Sequence, residues 1–157
     1  MGTIEDPVFG KLWWDGLSWK REYDAFIFGE DRTVILVVDE DSGPTAAQQE
    51  IFVKFYRHKD QCIRDIERSI YAYYLSILDE KRADLGDVAD EEMPIVSNIN
   101  ELGALVPLEQ IVIKDPYYGD DKIIALLFGC TWDDSHGLGV KLTDNKVTDV
   151  GQQDIVL

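Results

Sequence analysis

One stretch of this chain concentrates reactive side-chain types: Cys130-Thr131-Trp132-Asp133-Asp134-Ser135-His136-Gly137-Leu138-Gly139. Cysteine, aspartate and histidine are all metal ligands, and a histidine beside carboxylates can move a proton in hydrolysis. Asp133, Asp134 and His136 are therefore the candidate catalytic set for a metal-dependent or hydrolytic enzyme. A zinc site, however, needs three or four ligands converging from separate parts of the chain, and His58 is the only other histidine. The same residues also read as a turn between two strands. In that reading an aspartate accepts backbone N–H bonds, the glycines permit positive φ, and Trp132 packs. Short motifs of this kind match by chance, and the turn is the reading preferred.

Other partial patterns fail on a required position. Asp39-Glu40-Asp41-Ser42-Gly43 starts like a calcium loop with Glu50 twelfth, but Pro44 occupies the sixth position, where the sharp glycine turn is needed. Gly137-x-Gly139 has Leu142 in place of a third glycine and precedes a strand rather than a helix. No G-x-S-x-G, P-loop or H-E-x-x-H is present. Cys62 and Cys130 are distant from each other, which fits two free thiols better than a disulfide. The chain reads more as a binding protein than as an enzyme, with no cofactor and no metal expected.

Charge narrows the partners. The 157 residues hold 15 Lys and Arg against 31 Asp and Glu, a formal net charge of −16. Nucleic acid and anionic membrane surfaces are both disfavoured by such a field, and a cationic partner suits it. The excess is uneven: residues 1–82 carry 11 bases and 16 acids, residues 83–157 only 4 and 15. Met1-Gly2-Thr3-Ile4-Glu5-Asp6 has neither a basic nor an apolar leader region, and no apolar run is long enough to cross a bilayer. The expected location is the cytoplasm.

The elements that must position these residues are legible from periodicity. With 45% hydrophobic residues and no Pro/Gly/Ser-rich linker, residues 1–157 read as one domain. Phe9–Trp14, Trp19–Phe28 and Thr33–Val38 read as strands, with Gly29-Glu30-Asp31-Arg32 as a hairpin connection. Adjacent Trp13 and Trp14 must face opposite ways, so at least one is core, and Trp19 can pair across the hairpin with either. Thr33–Val38 is apolar on both faces, which predicts a helix packed on its second side. Pro44-Thr45 opens a helix with Ala47, Ile51 and Phe55 inward and Gln48, Gln49, Glu50 and Lys54 polar. A second helix spans about Asp60–Lys81, its stripe running through Ile63, Ile66, Ile70, Tyr73, Tyr74 and Ile77. The acidic run from Asp79 to Glu92 is a solvated loop or the helix's frayed end. Asn98–Ala104 forms a short helix with Glu101 completing a capping box. Leu108–Lys114, Lys122–Cys130, Gly137–Thr143 and Lys146–Val150 then return to β-structure, with Asp144-Asn145 as a tight turn. The fold class is α+β: an N-terminal β-meander, two central helices, and a C-terminal β-meander, with the helices packed on an antiparallel sheet.

Four segments together carry a resemblance: Phe9-Gly10-Lys11-Leu12, Thr45-x-x-Gln48, Trp132-Asp133-Asp134-x-His136-Gly137-x-Gly139-Val140, and Val150-Gly151-Gln152-Gln153-Asp154-Ile155. In this combination the chain resembles, over nearly its whole length, an uncharacterised family of small acidic bacterial α+β domains. Some members of that family lie in polymorphic-toxin immunity neighbourhoods. The resemblance implies a bacterial, cytosolic domain and an immunity protein as the leading function. The expected activity is thus a protein-binding module that neutralises a basic protein such as a cationic toxin. The residues expected to meet that partner are Asp84, Asp87, Asp90, Glu91 and Glu92 in the mid-chain segment, with Asp120 and Asp121 before the apolar strand. The alternative is the metal-dependent or hydrolytic enzyme using Asp133, Asp134 and His136.

Overall fold

Alternation along a strand sends successive side chains to opposite faces. Trp19, Tyr23, Ala25 and Ile27 share the buried face of their strand, while Glu22, Asp24 and Phe26 face water. The computed structural model describes residues 2–116 and 121–156. Its N-terminal strands are β1 (Thr3–Asp6), β2 (Gly10–Trp14), β3 (Trp19–Ile27) and β4 (Glu30–Asp39). Helices α1 (Ala46–Arg57), α2 (Lys59–Leu85), α3 (Ala89–Glu92) and α4 (Leu102–Leu105) follow. The chain then makes β5 (Leu108–Lys114), β6 (Ile123–Phe128), β7 (Leu138–Thr143) and β8 (Lys146–Gly151), ending in a single 3-10 turn at Gln153–Ile155.

The strands lie in one eight-stranded sheet in chain order. Each neighbouring pair is antiparallel except β4–β5, which is parallel with Ile35 opposite Gln110 and Asp39 opposite Lys114. The molecule is α+β, built from two four-stranded meanders laid side by side. A parallel join cannot be made by a hairpin, so the helices form the crossover that returns the chain to the starting end of β4.

Local chemistry explains where the helices begin and end. Thr45 caps α1 through a complete capping box with Gln48, and Lys54 and Arg57 sit in its last turn where the helix dipole favours cations. His58 closes α1, its N–H donating to the carbonyls of Lys54 and Phe55, and α2 begins at the next residue. The capping box of Asn98 with Glu101 is also present. Helix α2 lays Cys62, Ile66, Ile70 and Tyr74 onto the sheet, opposite inward residues such as Leu36, Ile111, Leu126 and Val140. Each such side chain contributes roughly 1.5–3 kcal/mol by leaving water.

Four sequence expectations need correction. The second face of β4 is not covered by a helix: Ile35 and Val37 join Val112, Ala125 and Leu127 in a small apolar cluster that Val156 of the C-terminal segment closes. The α1 stripe is Gln48, Ile51, Phe52 and Phe55, so Gln48 is a core residue rather than a surface one. The β3–β4 hairpin turns at Phe28-Gly29, both at positive φ, and β4 already begins at Glu30. The acidic run holds helix to Leu85 and again over Ala89–Glu92. The periodicity also passed over β1, which pairs with β2 at the sheet edge. Trp14 pairs with Trp19 at 5.3 Å between rings, leaving Trp13 as the outward tryptophan.

Candidate functional site

The Trp132–Gly139 segment connects β6 to β7 and lies against α2. Half-buried Trp132 meets the edge of Tyr74 at 5.2 Å between ring centres. The preceding residues bind neighbouring loops: Gly129 N donates to Pro107 O, Thr131 N to Leu105 O, and the Thr131 hydroxyl to Glu92 O at 2.6 Å. Gly139 lets the C-terminal segment approach closely, because a Cβ there would lie 2.9 Å from Val156 and 3.1 Å from the Gln153 backbone. Gln153 completes the lock by donating from its N–H to His136 O and from Nε2 to Phe128 O.

Within this frame Asp133 and His136 come together and Asp134 does not join them. His136 Nδ1 lies 2.8 Å from Asp133 Oδ1, Gln152 Nε2 donates to Asp133 Oδ2 at 3.1 Å, and Asp134 is exposed. Partial burial opposes charge on Asp133, yet the bond to His136 outweighs it with help from Gln152, and the carboxyl stays below its ordinary value. The His136 side chain is 59% exposed. Burial pushes the Cys130 thiol up to about 12, against the N–H groups of Trp132 and Asp133, so it is a protonated thiol at neutral pH rather than a nucleophile. Among the described residues no group of three His, Cys, Asp or Glu side chains gathers in a way that would hold a metal ion.

The acidic candidates divide between two ends of the molecule. After α2 the chain turns through Gly86–Val88 into α3, making an elbow on which Asp84, Asp87, Asp90 and Glu91 are exposed and Glu92 half-buried. Arg82 folds back under it, donating to the carbonyls of Ala89 and Met93 and to Asp90 Oδ1 at 2.7 Å. The Thr131–Glu92 bond fastens the elbow to the Trp132 turn, so Asp133 and Asp134 lie at that same end. Asp121 is exposed at the opposite end of β6, beside Lys122, whose carbonyl accepts from Asp144 N. Asp120 lies outside the described residues.

Sequence reading passed over a cavity of about 490 Å³ between the start of the first meander and the end of α1. Its lining includes Arg21, Tyr23, Phe52, Tyr56 and Arg57. The signal was register: Arg21 shares the inward parity of Trp19, Tyr23 and Ala25, a charge at a core position of β3. Its guanidinium fills the gap where β2 and β3 diverge, donating to Phe9 O at 2.7 Å and Glu22 O at 2.9 Å. Burial raises the Tyr23 phenol above its ordinary value, and neighbouring Tyr56 adds to the shift.

A family model described as a domain of unknown function (DUF6985) matches residues 8–157. No curated protein and no solved structure matches the chain. Among the described residues no helix is long and apolar enough to cross a membrane.

Proposed function

The chain belongs to this family of unknown function, and from that premise we propose that it is a protein-binding module whose acidic elbow captures a basic partner. The reading extends to a bacterial, cytoplasmic immunity protein that neutralises a cationic toxin, as the resemblance of the four segments implies. The elbow carries the argument. A charge fixed before the encounter needs less ordering when the partner arrives, and the elbow is fastened from below by Arg82 and Thr131 while its acids face water. The same segment exposes Val88 at 39% and Ile95 at 76%, giving apolar contact area beside the charge. Asp121, at the far end of β6, belongs to a separate surface.

Complementary fields raise association rates more than they deepen affinity. The test therefore follows association with the co-purified partner across a salt series. The variant changes Asp84, Asp87 and Glu91 to their amides and leaves Asp90 to hold Arg82. The variant should associate more slowly and with a shallower salt dependence; a wild-type salt slope would remove the elbow from the interface. A second reading, metal-dependent or hydrolytic chemistry at Asp133, Asp134 and His136, is favoured by the 2.8 Å Asp133–His136 contact alone. Elemental analysis of the purified protein tests it: a stoichiometric transition metal supports it, and no bound metal after loading with zinc rejects its metal-dependent form.

A further inference from the structure

The chain holds 31 acids and 15 bases, so carboxylates outnumber cations about two to one. Lys20, Lys54, Arg68 and Arg82 each pair with an aspartate. The cavity beside α1 holds cations without such a pair. Two of its lining residues are arginines and none is acidic. Among the described residues Arg21 donates only to carbonyls and Arg57 forms no ion pair. Lys59 lies 4.1 Å over the Tyr56 ring, adding a third cation nearby.

The remaining wall is aromatic. Phe52 packs against Phe9 at 4.9 Å, Tyr23 at 6.1 Å and Tyr56 at 6.2 Å, so the rings are set before any ligand arrives. Tyr23 is only 9% exposed and lines the cavity, and among the described residues its hydroxyl has no hydrogen-bond partner. No described side-chain oxygen is both buried and unpartnered, so the Tyr23 hydroxyl reaches the open space of the cavity and can donate to a molecule there. A volume of about 490 Å³ suits a small molecule.

We propose that this cavity binds a small aromatic anion. Its ring would lie against Phe52 and Tyr56, its anionic group on Arg57 and Arg21, and an acceptor oxygen on the Tyr23 hydroxyl. Guanidinium groups bind carboxylate, sulfonate and phosphate oxygens through charge-assisted bonds and stack on rings, so one wall serves both halves of such a ligand. The net charge of −16 does not forbid this, because at about 0.15 M ionic strength exposed charges beyond roughly 8 Å are largely screened. The inference is independent of the acidic elbow, which lies at the other end of the helical layer.

The test compares two fluorescent probes on the full-length protein: 1-anilinonaphthalene-8-sulfonate and its neutral congener N-phenyl-1-naphthylamine. Wild type should bind the sulfonate about tenfold or more tightly than the amine. Arg57→Gln, which removes an exposed side chain, should weaken the sulfonate by about tenfold and leave the amine unchanged. Tyr23→Phe should also weaken the sulfonate, and Arg68→Gln on α2 should not. Amide shifts on adding the sulfonate should centre on Val53, Tyr56 and Arg57. Equal affinity for the two probes, an Arg57→Gln variant that binds the sulfonate like wild type, or shifts centred on another surface would each overturn the proposal.

Discussion

Replacing Gln48 by methionine should cost far more stability than a surface-polar position of α1 would. Gln48 is fully buried at the end of the parallel β4–β5 pair. Its Nε2 donates to Ile113 O at 3.0 Å and to Asp39 O at 3.3 Å, so one amide ties the end of β4 to the penultimate residue of β5. Its Oε1 accepts from Thr45 N at 3.0 Å, and the Thr45 hydroxyl donates onward to Asp115. Methionine keeps the volume and deletes these bonds. Stranding the buried Ile113 carbonyl costs about 1–3 kcal/mol, and the two part-buried bonds about 0.5–1.5 kcal/mol each. Better burial of the thioether offsets about 1 kcal/mol of this. The net loss should be about 3 kcal/mol, a large share of the ~5–15 kcal/mol that holds a domain together. Urea unfolding measures it as a lower midpoint at unchanged slope. Gln49→Met, whose bond to Asp6 is only part-buried, is the control and should lose less than about 1 kcal/mol. A Gln48→Met loss below about 1 kcal/mol would refute the view that this amide fastens the join.

Trp132→Ala should lower stability by about 2 kcal/mol, roughly half the cost of truncating a fully buried aromatic, and Trp132→Phe should recover most of it. An unchanged melting curve for the alanine variant would show that the turn does not depend on its contact with Tyr74. Asp133 should give an acid-limb signature. Its folded carboxyl lies below the unfolded value, so its contribution is present above that unfolded value and is lost as pH falls through the folded one. Asp133→Asn should therefore flatten the fall in unfolding free energy below about pH 4, and an acid limb identical to wild type would exclude the contribution.

Both meanders, both long helices and the Asn98 capping box were legible because hydrophobic period and cap chemistry act over a few residues. What escaped the sequence depends on contacts between distant segments. Gln48 looks like a surface residue by type, and only the carbonyls of Asp39 and Ile113 make its burial tolerable. The doubly apolar Val34–Val38 run correctly announced two covered faces, but periodicity cannot tell a helix from the short segment ending at Val156. Of the candidate site, Asp133 and His136 are i and i+3 in one turn and their meeting was readable. The separation of Asp121 from the elbow is set by the length of β6. Arg21 advertised the cavity by its register in β3, yet Tyr56 and Arg57 reach that cavity only because α1 crosses the sheet beside it.

The parallel join has a consequence for how the chain reaches this state. Every other strand pair links segments close in sequence, and such hairpins close in about 1–10 µs. β4 must find β5 with Ile35 opposite Gln110, 75 positions further along, and the entropy of closing that loop is lost before the contact is gained. Folding should therefore proceed as two quickly formed halves and one slow docking event, with the barrier at the seam between them. Changes at the seam that weaken contacts already made in the transition state would slow folding, whereas changes in the outer hairpins that leave those contacts intact would mainly hasten unfolding. The seam, rather than either meander, would then set the time this protein spends with its two apolar inner surfaces open to water.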